Sequence, residues 1–368
     1  MSNGVVSQSA VTVSLEDLRK GNVDFSTLEE AFGPSSLGII VVKGLPEKFV
    51  ELRHKLLSYS SYLANLPAEE LVALESPSSH YLVGWSCGKE TLKSGVYDTL
   101  KGSYYANPAP SFSTPSVQSS VAAKYPSFPE YTAPNVWPPT TLLPTFEPTF
   151  RALCELIIDV AVLVARACDV YALAKVEGYA PGYLEHVVRT SVSTKARLLH
   201  YFPPPGASPS SKEAGEEADD DDWCATHLDH GCLTGLTSAM FVDEAASPPI
   251  LPARSSDSPA ISSPPPPLPE LSSSPDPAAG LYIRSRTNAV TKVGIPRDCL
   301  GFQTGEALEV ITKGKFKAVP HFVRGASSKG GKVARNTLAV FTQPNLWEKV
   351  DGEKDFAAFA REIVARNH

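Results

Sequence analysis

The chain has 368 residues, 42% hydrophobic and 20% charged, enough apolar material for one large core or a core with an extension. Its formal net charge is −7, and Glu213, Glu216, Glu217 and Asp219 to Asp222 carry seven negative charges, so the remainder balances to zero. A neutral body with an acidic tuft excludes the charge footprint of a non-specific nucleic-acid binder.

Residues 1–10 contain neither the basic nor the apolar part of a signal peptide and are expected to be disordered. Ser14, with Asp17 three positions on, opens a short predicted helix. Leu37 to Val42 is a compact β-branched run and reads as a strand. Phe49 to Leu63 has near-helical apolar spacing, and a second helix starts at Leu66-Pro-Ala-Glu-Glu. The stretch 83–108 is polar, glycine-punctuated and aromatic, and is expected to be a packed loop without regular structure. Phe146 to Tyr171 carries the strongest helical pattern. Arg151, Glu155 and Asp159 share one face, while Leu153, Leu156, Ile157, Val160, Leu163 and Val164 cover the other. That helix should buttress a sheet. Its charged residues also argue against a membrane span.

After Val187 the text turns β-rich, with V-V-R-T-S-V-S-T followed by R-L-L-H-Y-F-P. Two inserts interrupt it. Residues 204–222 lack apolar periodicity, and 244–279 hold eleven of the 33 prolines. Both are expected to be flexible, the second partly polyproline, with 246–277 a candidate docking site for a protein partner. Further strands are expected at 281–286, 290–293, 299–304, 307–312, 318–323 and 335–342, before a short helix around 355–365. Helices first and strands afterwards argue an α+β fold.

Chemistry concentrates late in the chain. His227 and Asp229 are two apart, so in extended backbone their side chains leave the same face. His321 lies in a second β-prone run. Alone it reads as an ordinary strand-end residue, but two imidazoles and one carboxylate are how proteins hold Fe(II) for oxygen chemistry. Arg335 and Thr337 repeat the i, i+2 spacing with a guanidinium and a hydroxyl, a pair suited to a carboxylate. Cys224, His227, His230 and Cys232 are close enough to suggest zinc, yet no second short-spaced Cys/His pair follows. The six cysteines are scattered and read as reduced thiols.

The order H-x-D, distant His, then R-x-[S/T] resembles the Fe(II)/2-oxoglutarate-dependent oxygenases, in their isopenicillin-N-synthase-like branch. The segments G-L-Y-I-R-S-R at 280–286, I-P-R-D-C-L-G-F-Q-T-G-E-A-L-E-V-I-T-K-G at 295–314, N-V-W-P at 135–138 and L-G-I-I-V-V-K-G-L-P at 37–46 are similar to that branch as well. The resemblance implies a double-stranded β-helix (jelly-roll) core over 176–345, carrying the inserts 204–222 and 244–279. An N-terminal helical or mixed region over 11–175 would pack on it, with a C-terminal helix in 346–368. It implies Fe(II) on His227, Asp229 and His321, with 2-oxoglutarate anchored by Arg335 and Thr337 and O₂ as the oxidant. It also implies walls to which Tyr104, Tyr105 and Asn107 would contribute. Relatives often carry Asn-x-Tyr-Pro, the tyrosine bonding the co-substrate. Here His200-Tyr201-Phe202-Pro203 puts Phe202 in that place, leaves His200 as a candidate donor, and assigns Tyr201 to the core. A nucleic-acid-acting subfamily has a second arginine six positions after the first, where this chain has Phe341.

The expected activity is oxidation of a small organic molecule (hydroxylation, desaturation or ring closure), with 2-oxoglutarate converted to succinate and CO₂, in a soluble cytoplasmic protein. Two alternatives stand beside it: an iron oxidase of the same fold that does not use 2-oxoglutarate, and a non-catalytic binding protein with a proline-rich docking loop.

Overall fold

Strands β1 (Val6–Ser7) and β2 (Val11–Ser14) lead into helix α1 (Leu15–Lys20). Ser14 caps that helix as expected, its Oγ accepting from the Asp17 N–H at 3.0 Å. Next come α2 (Phe25–Phe32), β3 (Ile39–Lys43), α3 (Glu47–Ala64), α4 (Ala68–Ala73), β4 (Gly84–Cys87) and β5 (Lys101–Ala106). The helices α5 (Pro115–Lys124), α6 (Pro129–Thr132), α7 (Phe146–Lys175) and α8 (Tyr183–Thr190) precede the remaining strands. These are β6 (Lys195–Tyr201), β7 (Cys224–His227), β8 (Leu233–Thr237), β9 (Met240–Asp243), β10 (Gly280–Arg284), β11 (Val290–Val293) and β12 (Leu300–Thr304). After α9 (Glu306–Ile311) the chain ends with β13 (His321–Arg324), β14 (Val333–Thr342) and α10 (Phe356–Asn367). The computed structural model describes residues 6–7, 9–90, 97–203, 224–253, 260–261, 263–285, 289–324 and 332–367. The acidic run 213–222 lies outside them. No helix among the described residues is long and apolar enough to cross a membrane.

The described strands form two sheets. The larger runs β2-β3-β12-β8-β14-β6-β5-β4, with β9 also on β14, and the smaller runs β1-β11-β10-β13-β7. Most pairs are antiparallel; β1–β11 and β2–β3 are parallel. Alternation assigns each side chain of β6 and β14 to one of two faces. Ala196, Leu198, Leu338 and Val340 join the hydrophobic core beneath the helices. Arg197, Leu199, Tyr201, Arg335, Thr337, Ala339 and Phe341 face a cavity lined by both sheets. Helix α7 buttresses the larger sheet against β8 and β14, as its apolar stripe predicts. Gly235 permits the close approach, because a Cβ there would stand 2.4 Å from Ile157 Cγ2.

Four expectations change. The stretch 83–108 is not an irregular loop, because β4 and β5 form a hairpin that extends the larger sheet along β6. Its apolar pattern is masked by aromatic and small residues whose partners lie far off in sequence. The N-terminal region, expected to be helical or mixed, contributes β2, β3, β4 and β5 to that sheet. Residues 307–312 read as a strand from Val310 and Ile311, yet Ala307, Leu308 and Ile311 bury one helical face of α9. Likewise 187–190 belong to α8, with Leu184, Val187 and Val188 buried.

The fourth correction concerns the proline-rich insert, whose described part from 263 onward packs on α3. Leu268 is buried, and its N–H donates to Ser58 Oγ at 2.9 Å. His54 Nε2 lies 2.8 Å from the Leu268 carbonyl, and the Tyr62 hydroxyl donates to Pro266 O at 2.9 Å. Prolines leave carbonyls without N–H groups of their own, and polyproline backbone loses little entropy on ordering. Side-chain hydrogen bonds from α3 therefore help to hold it.

Candidate active site

β7 and β13 are antiparallel, with His227 opposite His321. Asp229 follows just beyond the end of β7. The three side chains converge: Asp229 Oδ1 lies 3.7 Å from His227 Nε2 and 3.8 Å from His321 Nε2. The imidazole centroids are 4.3 Å apart, and one donor atom from each residue fits within a 4.8 Å group. The loop after Asp229 is held from behind by α9, whose Glu306 N–H donates to the Asp229 carbonyl at 2.8 Å. Gly305 makes that possible, since a Cβ there would sit 2.2 Å from the Gly231 carbonyl oxygen.

Electrostatics suit a cation. Asp229 Oδ2 is buried with no hydrogen-bond partner among the described residues, an arrangement that costs free energy unless a positive ligand compensates it. Burial, then the neighbouring His227, push the His321 pKa down to about 4 against the pull of Asp229. The ring is therefore neutral at physiological pH, the form a metal ligand requires. The fully buried Gln303 of β12 lies behind it, its amide nitrogen 2.7 Å from His321 Nδ1. A carboxamide can present either edge. With Oε1 accepting from Nδ1–H, the Nε2 lone pair is left to the metal. Sequence reasoning passed over Gln303, because a lone glutamine on a strand carries no signal without its partner.

His230 turns away from the triad and pairs with Glu306 at 3.1 Å. Cys232 is buried in the main core. Neither adds to the metal group.

The cavity beside the triad has a volume of about 480 Å³. Arg335 and Thr337 both line it and are buried, in line with their i, i+2 spacing. Tyr201 pairs with Arg335 in the ladder, and the guanidinium sits 4.9 Å from its ring centroid. This reverses the expectation for the β6 motif. His200 faces the helices, with Nδ1 2.8 Å from Asn336 Oδ1 and its ring against Phe202 at 4.5 Å. A one-residue slip in alignment exchanges the faces, so Tyr201, not His200 or Phe202, stands beside the guanidinium.

Of the three proposed wall residues, two are structural. Tyr104 is fully buried among Phe146, Phe150 and Trp137, and its hydroxyl donates to Val136 O at 2.8 Å. Asn107 donates to Val192 O at 2.6 Å and ties 107–109 to Asn135. Tyr105 lies on the cavity side of β5. Its ring supports Arg197, a cavity-lining residue, at 5.0 Å. Arg197 also donates to Ser103 and pairs with Glu90 at 2.5 Å. Burial raises the Glu90 pKa, but Arg197 and Lys101 outweigh it and hold that carboxyl at about 2.

The cavity has two ends. Cys232 N–H bonds the Thr342 carbonyl at 2.8 Å, so the loop bearing Asp229 is docked near the C-terminal end of β14. Arg335 lies toward the other end, and Ala339, opposite Arg197, is ~13 Å from it at the usual strand rise.

No protein-family model matches the sequence, and no curated protein matches it. Solved structures do share the fold over essentially the whole chain. A 2OG-Fe(II) oxygenase family protein from Caulobacter crescentus is 16% identical with TM-score 0.66, covering 97% of this chain and 99% of its own. A full-length Neurospora crassa protein crystallised with alpha-KG and thymine is 18% identical with TM-score 0.60, covering 100% and 98%. A rice dioxygenase for auxin oxidation is 15% identical with TM-score 0.55, covering 98% and 96%. The fold is the one these oxygenase structures have.

Proposed function

We propose that the protein is an Fe(II)- and 2-oxoglutarate-dependent dioxygenase that oxidises a small organic molecule within a double-stranded β-helix core. The observation that carries this reading is the meeting, in one cavity, of the His227–Asp229–His321 group with Arg335 and Thr337. His227, Asp229 and His321 would hold the metal. Bound there, Fe(II) with O₂ supplies the oxidising power for C–H chemistry while 2-oxoglutarate is converted to succinate and CO₂.

The chain's own residues do the rest. Arg335 offers a fork of donors to the distal carboxylate of the co-substrate, Thr337 adds a hydroxyl, and Tyr201 supports the guanidinium. Gln303, with its carboxamide turned so that Oε1 accepts from His321 Nδ1–H, would keep that ring in the ligating tautomer. Leu199, Leu236 and Val323 give the cavity apolar walls that exclude water. Of the proteins that share the fold, the Neurospora crassa one is crystallised with thymine and the rice one is a dioxygenase for auxin oxidation, and small organic compounds in both favour that substrate class here. The alternative of an oxidase without 2-oxoglutarate draws on two grounds, that R-x-[S/T] does not exclude it and that Phe202 stands where relatives carry a tyrosine; Tyr201 beside Arg335 weighs against the second.

Anaerobic titration with Fe(II) and 2-oxoglutarate tests the reading through the visible band of a chelated oxoacid. Wild type should show the band, His227→Ala should lose it, and Arg335→Ala should need far more 2-oxoglutarate. Iron bound tightly with no band would favour the oxidase. No iron binding would end the enzyme reading.

A further inference from the structure

The proline-rich insert does not leave the site alone. Ser272, Ser273 and Ser274, directly after its α3-packed stretch, line the cavity together with Ala279 and Gly280. They belong to the Arg335 end. The Leu271 N–H donates to the Phe241 carbonyl at 2.9 Å, and Phe241 is the ladder partner of Arg335 on β9.

One carboxylate joins the pieces around this end. Glu270 takes a bidentate pair from the fully buried Arg53 of α3, at 3.0 Å and 2.9 Å. It takes a third bond at 3.1 Å from Arg297, in the connection between β11 and β12. Arg53 also donates to the carbonyls of Ser238 (3.1 and 3.2 Å) and Ala239 (3.2 Å), in the turn between β8 and β9. Arg297 in turn bonds the Leu271 carbonyl. Lys292, another cavity-lining residue, bonds the Pro277 carbonyl further along the insert. A helix and the β11–β12 connection thus meet the insert at Glu270, and the β8–β9 turn joins them through Arg53.

Two features set this apart from an ordinary surface ion pair. Arg53 is withdrawn from water, so its charge must be matched, and Glu270 is the carboxylate that matches it. Glu270 also pairs with Arg297, which lines the cavity at the end where the proposed co-substrate carboxylate belongs. Without Glu270, Arg297 loses the partner that fixes it, and residues 271–279 lose their tie to α3 and to the β11–β12 connection.

We infer that residues 270–279 form a fixed wall of the cavity at its co-substrate end, and that Glu270 is the positioning residue that holds them there. The inference rests on the proposed function for what binds at that end. It reassigns the end of the insert from a free docking loop to part of the site.

The test uses full-length protein under anaerobic conditions with Fe(II). Hydrogen exchange is followed over 271–281 with and without 2-oxoglutarate, and the dissociation constants of Fe(II) and 2-oxoglutarate are measured separately. Glu270→Gln removes the charge from both pairs. Arg297→Ala opens only the outer half and leaves Arg53 paired, so it reports even where Glu270→Gln fails to fold. Exchange over 271–281 should quicken in both variants as local opening becomes easier. The 2-oxoglutarate dissociation constant should rise about tenfold in Glu270→Gln, the equivalent of one charge-assisted hydrogen bond, and less in Arg297→Ala. Fe(II) affinity should stay at the wild-type value. Quicker exchange with unchanged 2-oxoglutarate affinity would reduce the segment to a passive cover and overturn the inference, as would unchanged exchange in both variants. A wild-type protein that binds iron and shows no 2-oxoglutarate band would instead overturn the proposed function on which the inference rests.

Discussion

Replacing Gln303 by leucine isolates the support behind one metal ligand. Gln303 is fully buried, so the change leaves the surface charge untouched and roughly preserves side-chain volume. It removes the 2.7 Å contact to His321 Nδ1 and leaves that nitrogen with the Val319 carbonyl at 3.3 Å. Only that longer contact then favours the Nδ1–H tautomer, so the ring swings more freely and more often presents a protonated Nε2 to the metal. Removing such an outer partner typically costs 10- to 100-fold in metal affinity, about 1.4–2.7 kcal/mol. Anaerobic calorimetry with Fe(II), or with Co(II) as an air-stable stand-in, should therefore show a dissociation constant raised by roughly that factor. The thermal midpoint should move far less than it would for a core cavity. Gln303→Glu supplies the converse, because a carboxylate accepts from Nδ1–H and restores the ligating tautomer, so affinity should return to or exceed the wild-type value. Metal affinity within about twofold of wild type in Gln303→Leu, with the fold intact, would refute the assigned role of the amide.

Arg335→Gln should weaken 2-oxoglutarate by about 1.5–3 kcal/mol, the worth of hydrogen bonds to a charged group, with Fe(II) affinity unchanged in the same titration. Tyr104→Ala should cost ~3–5 kcal/mol of stability in urea unfolding, because the ring fills the aromatic cluster; in the folded fraction, 2-oxoglutarate affinity should match wild type. Burial lowers the His200 pKa to about 4, outweighing the Asn336 contact. The folded state then binds fewer protons than the unfolded state between that value and the ordinary ~6.5, so stability is full above pH ~6.5 and is lost as pH falls toward 4. His200→Gln should flatten that limb in unfolding measured across the pH range. Gly305→Ala should disturb Fe(II) binding through the Asp229 loop, visible as a raised metal dissociation constant, since the new Cβ would collide with the Gly231 carbonyl.

Much of the site could be read from the chain because its rules are local. The Arg335–Thr337 spacing places two side chains on one face of β14, the His227–Asp229 spacing brings its pair together across the end of β7, and neither rule needs a partner strand to operate. The long amphipathic stripe of α7 is equally self-contained. The hairpin of β4 and β5 was not legible. Gly102 and Tyr104 make sense only beside Trp85 and the aromatic cluster, whose members come from as far along the chain as Phe150.

The β6 motif shows where local reasoning stops. Whether His200 or Tyr201 faces the cavity depends on one residue of register against β14, and no property of the heptapeptide itself decides it. The proline-rich insert is a second instance. Its composition forbids a regular helix or a central strand, and that much the sequence determined by itself, together with the His227–Asp229–His321 group and the Arg335–Thr337 pair. That its described part from 263 onward nevertheless packs on α3, and that 272–274 line the cavity, was decided by tertiary structure alone. Its prolines lack the N–H groups to build structure of their own, and the donors that hold it, on Arg53, His54, Tyr62 and Arg297, come from distant parts of the fold.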